Sequence, residues 1–148
     1  MDDTKDARIP QNQLLILRIG RRPLEWIVPK IEGTPPCARI NPSMNYFENL
    51  NVIIIHGGRN DAKEVYGGTQ YTTERVTFRD MFVLDLVNFI WIGVSALEEP
   101  YGDPLAERSE HSSCVYTNKM IIFGGIDQSF FVRSDLFEVN LGNLNFNS

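Results

Sequence analysis

A chain of 148 residues that is 43% hydrophobic and 22% charged has the material for one ordinary domain with a sizeable core, which excludes disorder through its middle. Its formal charge of -5, from 14 Lys and Arg against 19 Asp and Glu, provides no basic footprint for a phosphate backbone, so nucleic acid is not an expected partner. No apolar run approaches membrane-spanning length, and the opening MDDTKDARIP lacks the basic start and apolar stretch of a secretory signal. Both features point to the cytosol, in solution or on the cytoskeleton, or to the nucleus.

Residues 1–12 read as a polar tail. From Gln13 to Trp26, QLLILRIGRRPLEW alternates apolar and polar residues and ends on an aromatic, which predicts the tail strands of a first unit over 13–28. A full unit is predicted over 35–95. It enters through GTPPCARINPS (33–43), turns at NYFENLN and runs along VIIIH into Gly57 and Gly58. A long connection from Arg59 to Arg79 follows, then the alternating strand DMFVLDL, a turn at Asn88 and a last strand holding Trp91. A further unit over 104–148 repeats the order: GDPLAERSEHS, a turn at YTNK, MIIF into Gly124 and Gly125, a short connection, DLFEVNL, a turn at Asn143 and Phe146.

The correspondence is an internal repeat. Asp80, Leu84, Asp85, Asn88 and Trp91 match Asp135, Val139, Asn140, Asn143 and Phe146 at a constant offset of 55. The entries match at 69 (Pro35 with Pro104, Arg39 with Arg108) and the glycine pairs at 67. The offset shortens because 21 residues separate glycine from aspartate in the first copy and 9 in the second, and such insertions belong in surface loops. No segment keeps a helical period over ten residues. The runs before Gly57 and Gly124 are apolar at every position, as a strand buried on both faces requires. Small four-stranded antiparallel sheets stacked radially on their faces make a β-propeller, so the expected fold is all-β, an incomplete arc of such blades.

The ordered set of Pro35, Arg39, Gly57, Gly58, Asp85 and Trp91, echoed by Pro104, Arg108, His111, Gly124, Gly125 and Asn140, resembles the kelch repeat, with Trp26 closing a partial earlier copy. These residues are read as structural repeat positions. Phe146 and Asn140 depart from the tryptophan and aspartate of the pattern, and Asn41-Pro42 stands where the second copy has Glu110-His111. About two and a half repeats fall short of the five to seven blades on which such propellers close. The resemblance therefore implies a fragment, or a subunit completed by blades from the same or another chain. It further implies a noncatalytic protein-binding or scaffold module, as in ligase adaptors and cytoskeletal or ciliary components. The alternative it carries is a piece of a propeller enzyme, such as galactose oxidase or a sialic acid mutarotase, or a domain appended to a phosphatase.

Chemistry-bearing groups give little support to catalysis. His56, His111, Cys37 and Cys114 have no metal-ligand spacing, and the cysteines are expected to be reduced and buried. The glycine pairs lack the Lys-Ser/Thr and helix of a phosphate loop, so they are assigned to chain geometry. Asp80, Asp85, Asp135 and Glu138 form no paired-carboxylate or triad pattern. No catalytic residue, metal or cofactor is assigned.

In a four-stranded meander the strand 2–3 and blade-to-blade connections share one face, and the long connections of this chain all fall there. Their aromatic residues Tyr66, Tyr71, Tyr101, Phe130 and Phe131 are candidate anchors, with Phe78 beside them, and Arg59, Arg75 and Arg133 are candidate planar donors. Glu98, Glu99 and Asp103 suit a basic segment of a protein partner.

Overall fold

A computed structural model of the chain describes residues 13–20, 22–60, 75–94 and 105–143. Its elements are strands, with two single turns of 3-10 helix. Strands β1 (Ile16–Arg18) and β2 (Glu25–Ile27) form an antiparallel hairpin in which Leu17 faces Trp26. β3 (Glu32–Gly33), β4 (Ser43–Phe47), β5 (Val52–His56), β8 (Met81–Asp85) and β9 (Ile90–Val94) make one sheet in the order β3-β9-β8-β5-β4. β6 (Arg59–Asn60) and β7 (Val76–Thr77) are a short antiparallel ribbon rooted between β5 and β8. β10 (Ser112–Tyr116), β11 (Lys119–Ile126) and β12 (Val132–Asn140) form the second large sheet.

The sheets follow the repeat. β4-β5-β8-β9 is an antiparallel meander, here blade 1, and β10-β11-β12 is its copy, blade 2. The predicted fourth strand around Phe146 lies outside the described residues. Alternation along each strand sends Phe47, Val52, Ile54, Met81 and Val83 to the face of blade 1 that meets Met120, Ile122, Val139 and Leu141 of blade 2. That shared layer is the main core. Removing these branched side chains from water by stacking one sheet on the next is what fixes the blades against each other. The all-β, partial-propeller architecture is therefore present.

Four expectations need correction. Blade 1 is not purely antiparallel: Glu32 and Gly33 add a parallel strand beside Ile90 and Trp91, satisfying backbone groups on an edge that would otherwise be open. Gly33, at φ +76, permits this approach, since a Cβ there would stand 2.2 Å from the Trp91 carbonyl oxygen. The glycine pairs are not alike either. Gly57 and Gly58 follow the end of β5, whereas Gly124 and Gly125 lie inside β11 at a register shift between Phe123 and Gly125, a bulge made possible by their positive φ.

β5 is not fully buried on both faces. Val52, Ile54 and His56 are buried, but Ile53 and Ile55 are intermediate because they look onto a groove lined also by Leu14, Met44 and Leu84. Cys37 and Cys114, finally, are both exposed. Cys114 sits on the face of β10 turned away from blade 1, and its outward placement follows from the strand alternation that turns Ser113 and Val115 toward the core.

Candidate functional site

Each blade carries the same internal lock. Arg39 enters blade 1 and its guanidinium grips both carboxylate oxygens of Asp80 at 2.5 and 3.0 Å while donating to the Gly57 carbonyl at 2.9 Å. Arg108 does the same in blade 2, to Asp135 at 2.9 and 3.1 Å and to the Gly124 carbonyl at 2.9 Å. The aromatic beneath is also repeated, Phe82 under Arg39 and Phe137 under Arg108. Arg108 holds the Asp135 carboxyl below its ordinary pKa, through direct hydrogen bonds first and its charge second. Phe78 lies 4.2 Å from the Arg39 guanidinium and so belongs to this lock rather than to a binding surface. The strand carboxylates Asp80 and Asp135 are thereby used structurally. Asp85 is used in a turn, where it accepts from the Val87 and Asn88 amides and from the Asn88 side chain. Partial burial raises its pKa, but these bonds outweigh that and lower it.

The blades are joined where their long connections begin. Phe78 N donates to Gly58 O, Gly58 N to Arg108 O and Arg108 N to Phe78 O, a closed triangle of backbone bonds at 2.8, 2.9 and 3.1 Å. Gly57 sits against the same corner, where a Cβ would be 2.5 Å from Arg108 O and 2.9 Å from the His111 ring. Below it, His56 and His111 meet edge to face with ring centroids 5.1 Å apart. His56 Nδ1 donates to Asp80 O at 3.2 Å, and His111 Nε2 pairs with Ser43 Oγ at 2.8 Å. Burial drives both below the ordinary histidine value, His56 to about 3 with His111 and Arg108 adding to the effect, and His111 to about 4 with Arg108 adding. Both rings are therefore neutral at physiological pH. Among the described residues no group of three or more His, Cys, Asp or Glu could hold a metal ion.

On this connection face, the segment 127–131 is a turn organised by Asp127. Its Oδ1 accepts from the Ser129 amide at 2.9 Å and the Phe131 amide at 3.0 Å, and its Oδ2 accepts from Arg133 at 2.7 and 3.0 Å. Phe130 N returns to Asp127 O, and Asp127 N donates to Phe131 O. These amides and Arg133 hold the carboxyl ionised against the opposing effect of desolvation. The consequence is a pair of aromatic residues displayed outward, Phe130 at 70% and Phe131 at 69% exposure. Phe130 takes a positive φ of 66, and its ring packs 4.2 Å from the Arg75 guanidinium. Arg75 in turn reaches from blade 1 to Ser109 Oγ and Asp127 O of blade 2. Gln128 ties the ribbon to the turn, accepting from Thr77 N at 2.6 Å and donating to Arg75 O.

The three arginines named as donors for a partner are therefore engaged within the chain. Arg59 pairs with Glu110, which Asn41 also contacts at 3.1 Å; Arg75 bridges the blades; Arg133 pairs with Asp127. Tyr66, Tyr71, Glu98, Glu99, Tyr101 and Asp103 lie outside the described residues. The sequence reading missed Asp127, Gln128, Ser109 and Glu110. An aspartate opening an Asp-Gln-Ser-Phe-Phe stretch is a local signal for a side-chain-capped turn, but nothing local marks Gln128 and Ser109 as partners of the distant Thr77 and Arg75.

Stacked four-stranded sheets, locked by a repeated Arg-Asp-glycine carbonyl contact, define a kelch-type propeller segment. Residues 3–148 match the KLHDC2/KLHL20/DRC7 Kelch-repeats domain, and the chain belongs to that family. Domains of this kind generally act as protein-interaction modules. No curated protein matches the chain.

Proposed function

We propose that the chain is a noncatalytic protein-binding and scaffold module that engages its partner through the connection face, as a segment or subunit of a larger cytoplasmic assembly of adaptor, cytoskeletal or ciliary type. The observation that carries this reading is the Phe130-Phe131 pair. Two exposed rings on one turn are held by four donors to Asp127 and by the Arg75 stack, so a partner would meet aromatic anchors already ordered. Pre-ordered aromatic groups bind with less loss of conformational freedom than flexible ones. The acidic run Glu98, Glu99 and Asp103 in the neighbouring connection favours a partner segment rich in Lys or Arg.

The test begins with partners captured on the immobilised chain and measures each by calorimetry against wild type and a Phe130→Ala/Phe131→Ala double variant. A genuine partner should lose at least about tenfold in affinity with the variant, as removal of an anchor pair demands. Its affinity should also fall as salt is added. Partners that bind wild type and variant equally would overturn the reading.

A further inference from the structure

The contact between the blades sets the rule by which this chain stacks its own sheets. The forward face of blade 1, carrying Phe47, Val52, Ile54 and Val83, is closed by the backward face of blade 2, carrying Met120, Ile122 and Val139. Applied to the two ends, the rule leaves one face of each kind open. At the N-terminal end the β1-β2 hairpin turns Leu14 toward the groove on blade 1 and presents the cross-strand pair Leu17 and Trp26, with Val28 beside it, on its other face. Trp26 is 65% exposed there, whereas its repeat counterpart Trp91 is 7% exposed. At the far end Tyr116, Phe123 and Leu136 occupy the forward-face positions of Phe47, His56 and Met81. All three are buried in blade 1, but the blade 2 residues are 72%, 52% and 67% exposed.

We propose that a second copy of the chain covers both open faces, the two copies associating head to tail as a closed pair in which Leu17, Trp26 and Val28 of each pack on Tyr116, Phe123 and Leu136 of the other. The vacant backward face and the vacant forward face belong to the same chain and are of the kinds already joined between blades 1 and 2. A head-to-tail contact closes or runs on into a fibre according to its rotation. The hairpin and two blades fill three radial positions, so two copies fill six, within the range of roughly four to eight on which propellers close.

One substitution fits this arrangement specifically. Lys119 and Glu138 stand where blade 1 has the core residues Val52 and Val83, and they pair at 2.5 Å. By its repeat position the hairpin supplies only the two outer strands of a blade, so Lys119 on β11 faces the part of the junction that the hairpin leaves unfilled. The pair keeps that part polar while neutralising its own charge. The proposal deepens the assembly part of the reading above and does not depend on the Phe130-Phe131 surface.

The test is the solution mass of the full chain by light scattering across about a hundredfold dilution, since mass action separates a specific pair from aggregation. Wild type should give twice the single-chain mass and no larger species. Trp26→Asp and Leu136→Asp, both at exposed positions, should each give folded monomers by circular dichroism, with dimer dissociation raised at least about 100-fold. An equimolar mixture of the two should recover a dimer, because one variant keeps its forward face and the other its backward face. Phe130→Ala/Phe131→Ala should stay dimeric while losing its partner, which separates this proposal from the binding surface. A monomeric wild type, a mass growing beyond two copies, variants that remain dimeric, or folded variants that do not recover a dimer on mixing would each overturn it.

Discussion

Blade 1 and blade 2 share what holds a blade together and differ in what surrounds it. The arginine, its aspartate, the glycine carbonyl and the aromatic beneath recur at matched positions with nearly the same distances. The forward faces diverge: Phe47, Val52, His56 and Val83 in blade 1 become Tyr116, Lys119, Phe123 and Glu138 in blade 2. The first set is buried; the second is exposed or takes part in an ion pair at the surface. Repetition of the lock thus encodes the unit, and divergence of the faces encodes its place in the arc. Terminal units of repeat proteins need such altered outer faces, because no identical neighbour covers them.

The largest effect expected from breaking this comparison is at the locks. Arg108→Ala strips Asp135 of its partner and the Gly124 carbonyl of its donor, and Arg108 is itself fully buried. Removing one partner of such a pair costs about 3–5 kcal/mol. Arg39→Ala should cost about 1 kcal/mol less, toward the lower end of that range, because Arg108 also stands at the corner that joins both blades. Urea unfolding monitored by tryptophan fluorescence checks both values, and equal losses would show that the corner adds nothing to the lock.

Next in size is Gly57→Ala. The new Cβ would collide with Arg108 O and the His111 ring, and φ +62 is already strained for alanine, so a loss of about 2–3 kcal/mol is expected. Gly124→Ala, whose Cβ would stand 3.1 Å from Arg133 O and touch no part of blade 1, should lose less in the same unfolding experiment.

His56 gives the blades different pH responses, since its counterpart in blade 2 is Phe123. The unfolded chain takes up a proton on this residue below about pH 6.5, whereas the folded ring refuses it until about pH 3. Stability is therefore undiminished above about pH 6.5 and falls as pH drops toward 3, by about 1.4 kcal/mol per pH unit from this residue. His56→Phe, which copies blade 2, should remove that slope between pH 6 and 5 as measured by denaturant midpoints. An unchanged slope would place the titration elsewhere, with His111 the first group to examine.

How much of this was legible follows from the range over which each signal acts. Asp80 and Asp135, Arg39 and Arg108, and the two glycine pairs recur in one order, and recurrence exposes residues that are far apart in the chain but fixed within one unit. The meander and the family resemblance came from that. Exposure of Cys114 and the half-burial of Ile53 and Ile55 depend on which neighbour covers a face, and the composition of a strand does not state it. The role of Phe130 and Phe131 as outward residues was readable only as an option, because Asp127 fixes the turn while Arg75, from the other blade, fixes the ring. Glu32 and Gly33 gave no strand signal at all, since a two-residue parallel strand is held by the edge of β9 and not by its own side chains.

The smallest effect belongs to the pair that most sharply distinguishes the faces. Lys119 and Glu138 are about half exposed, and ion pairs in that setting contribute roughly 0–1 kcal/mol. Lys119→Val/Glu138→Val restores the residues of blade 1 at both positions, so the isolated fold should change by less than about 1 kcal/mol. Solubility should respond more strongly. The double variant turns a mixed face into an apolar one with Tyr116, Ile121, Phe123 and Leu136, and such a face collects unspecific neighbours. Stability by urea midpoint together with light scattering would then show an almost unmoved midpoint and a rising mass. A large loss of stability with no change in mass would mean that the pair acts inside blade 2, as the arginine locks do, and that its divergence from Val52 and Val83 has nothing to do with the blade's position.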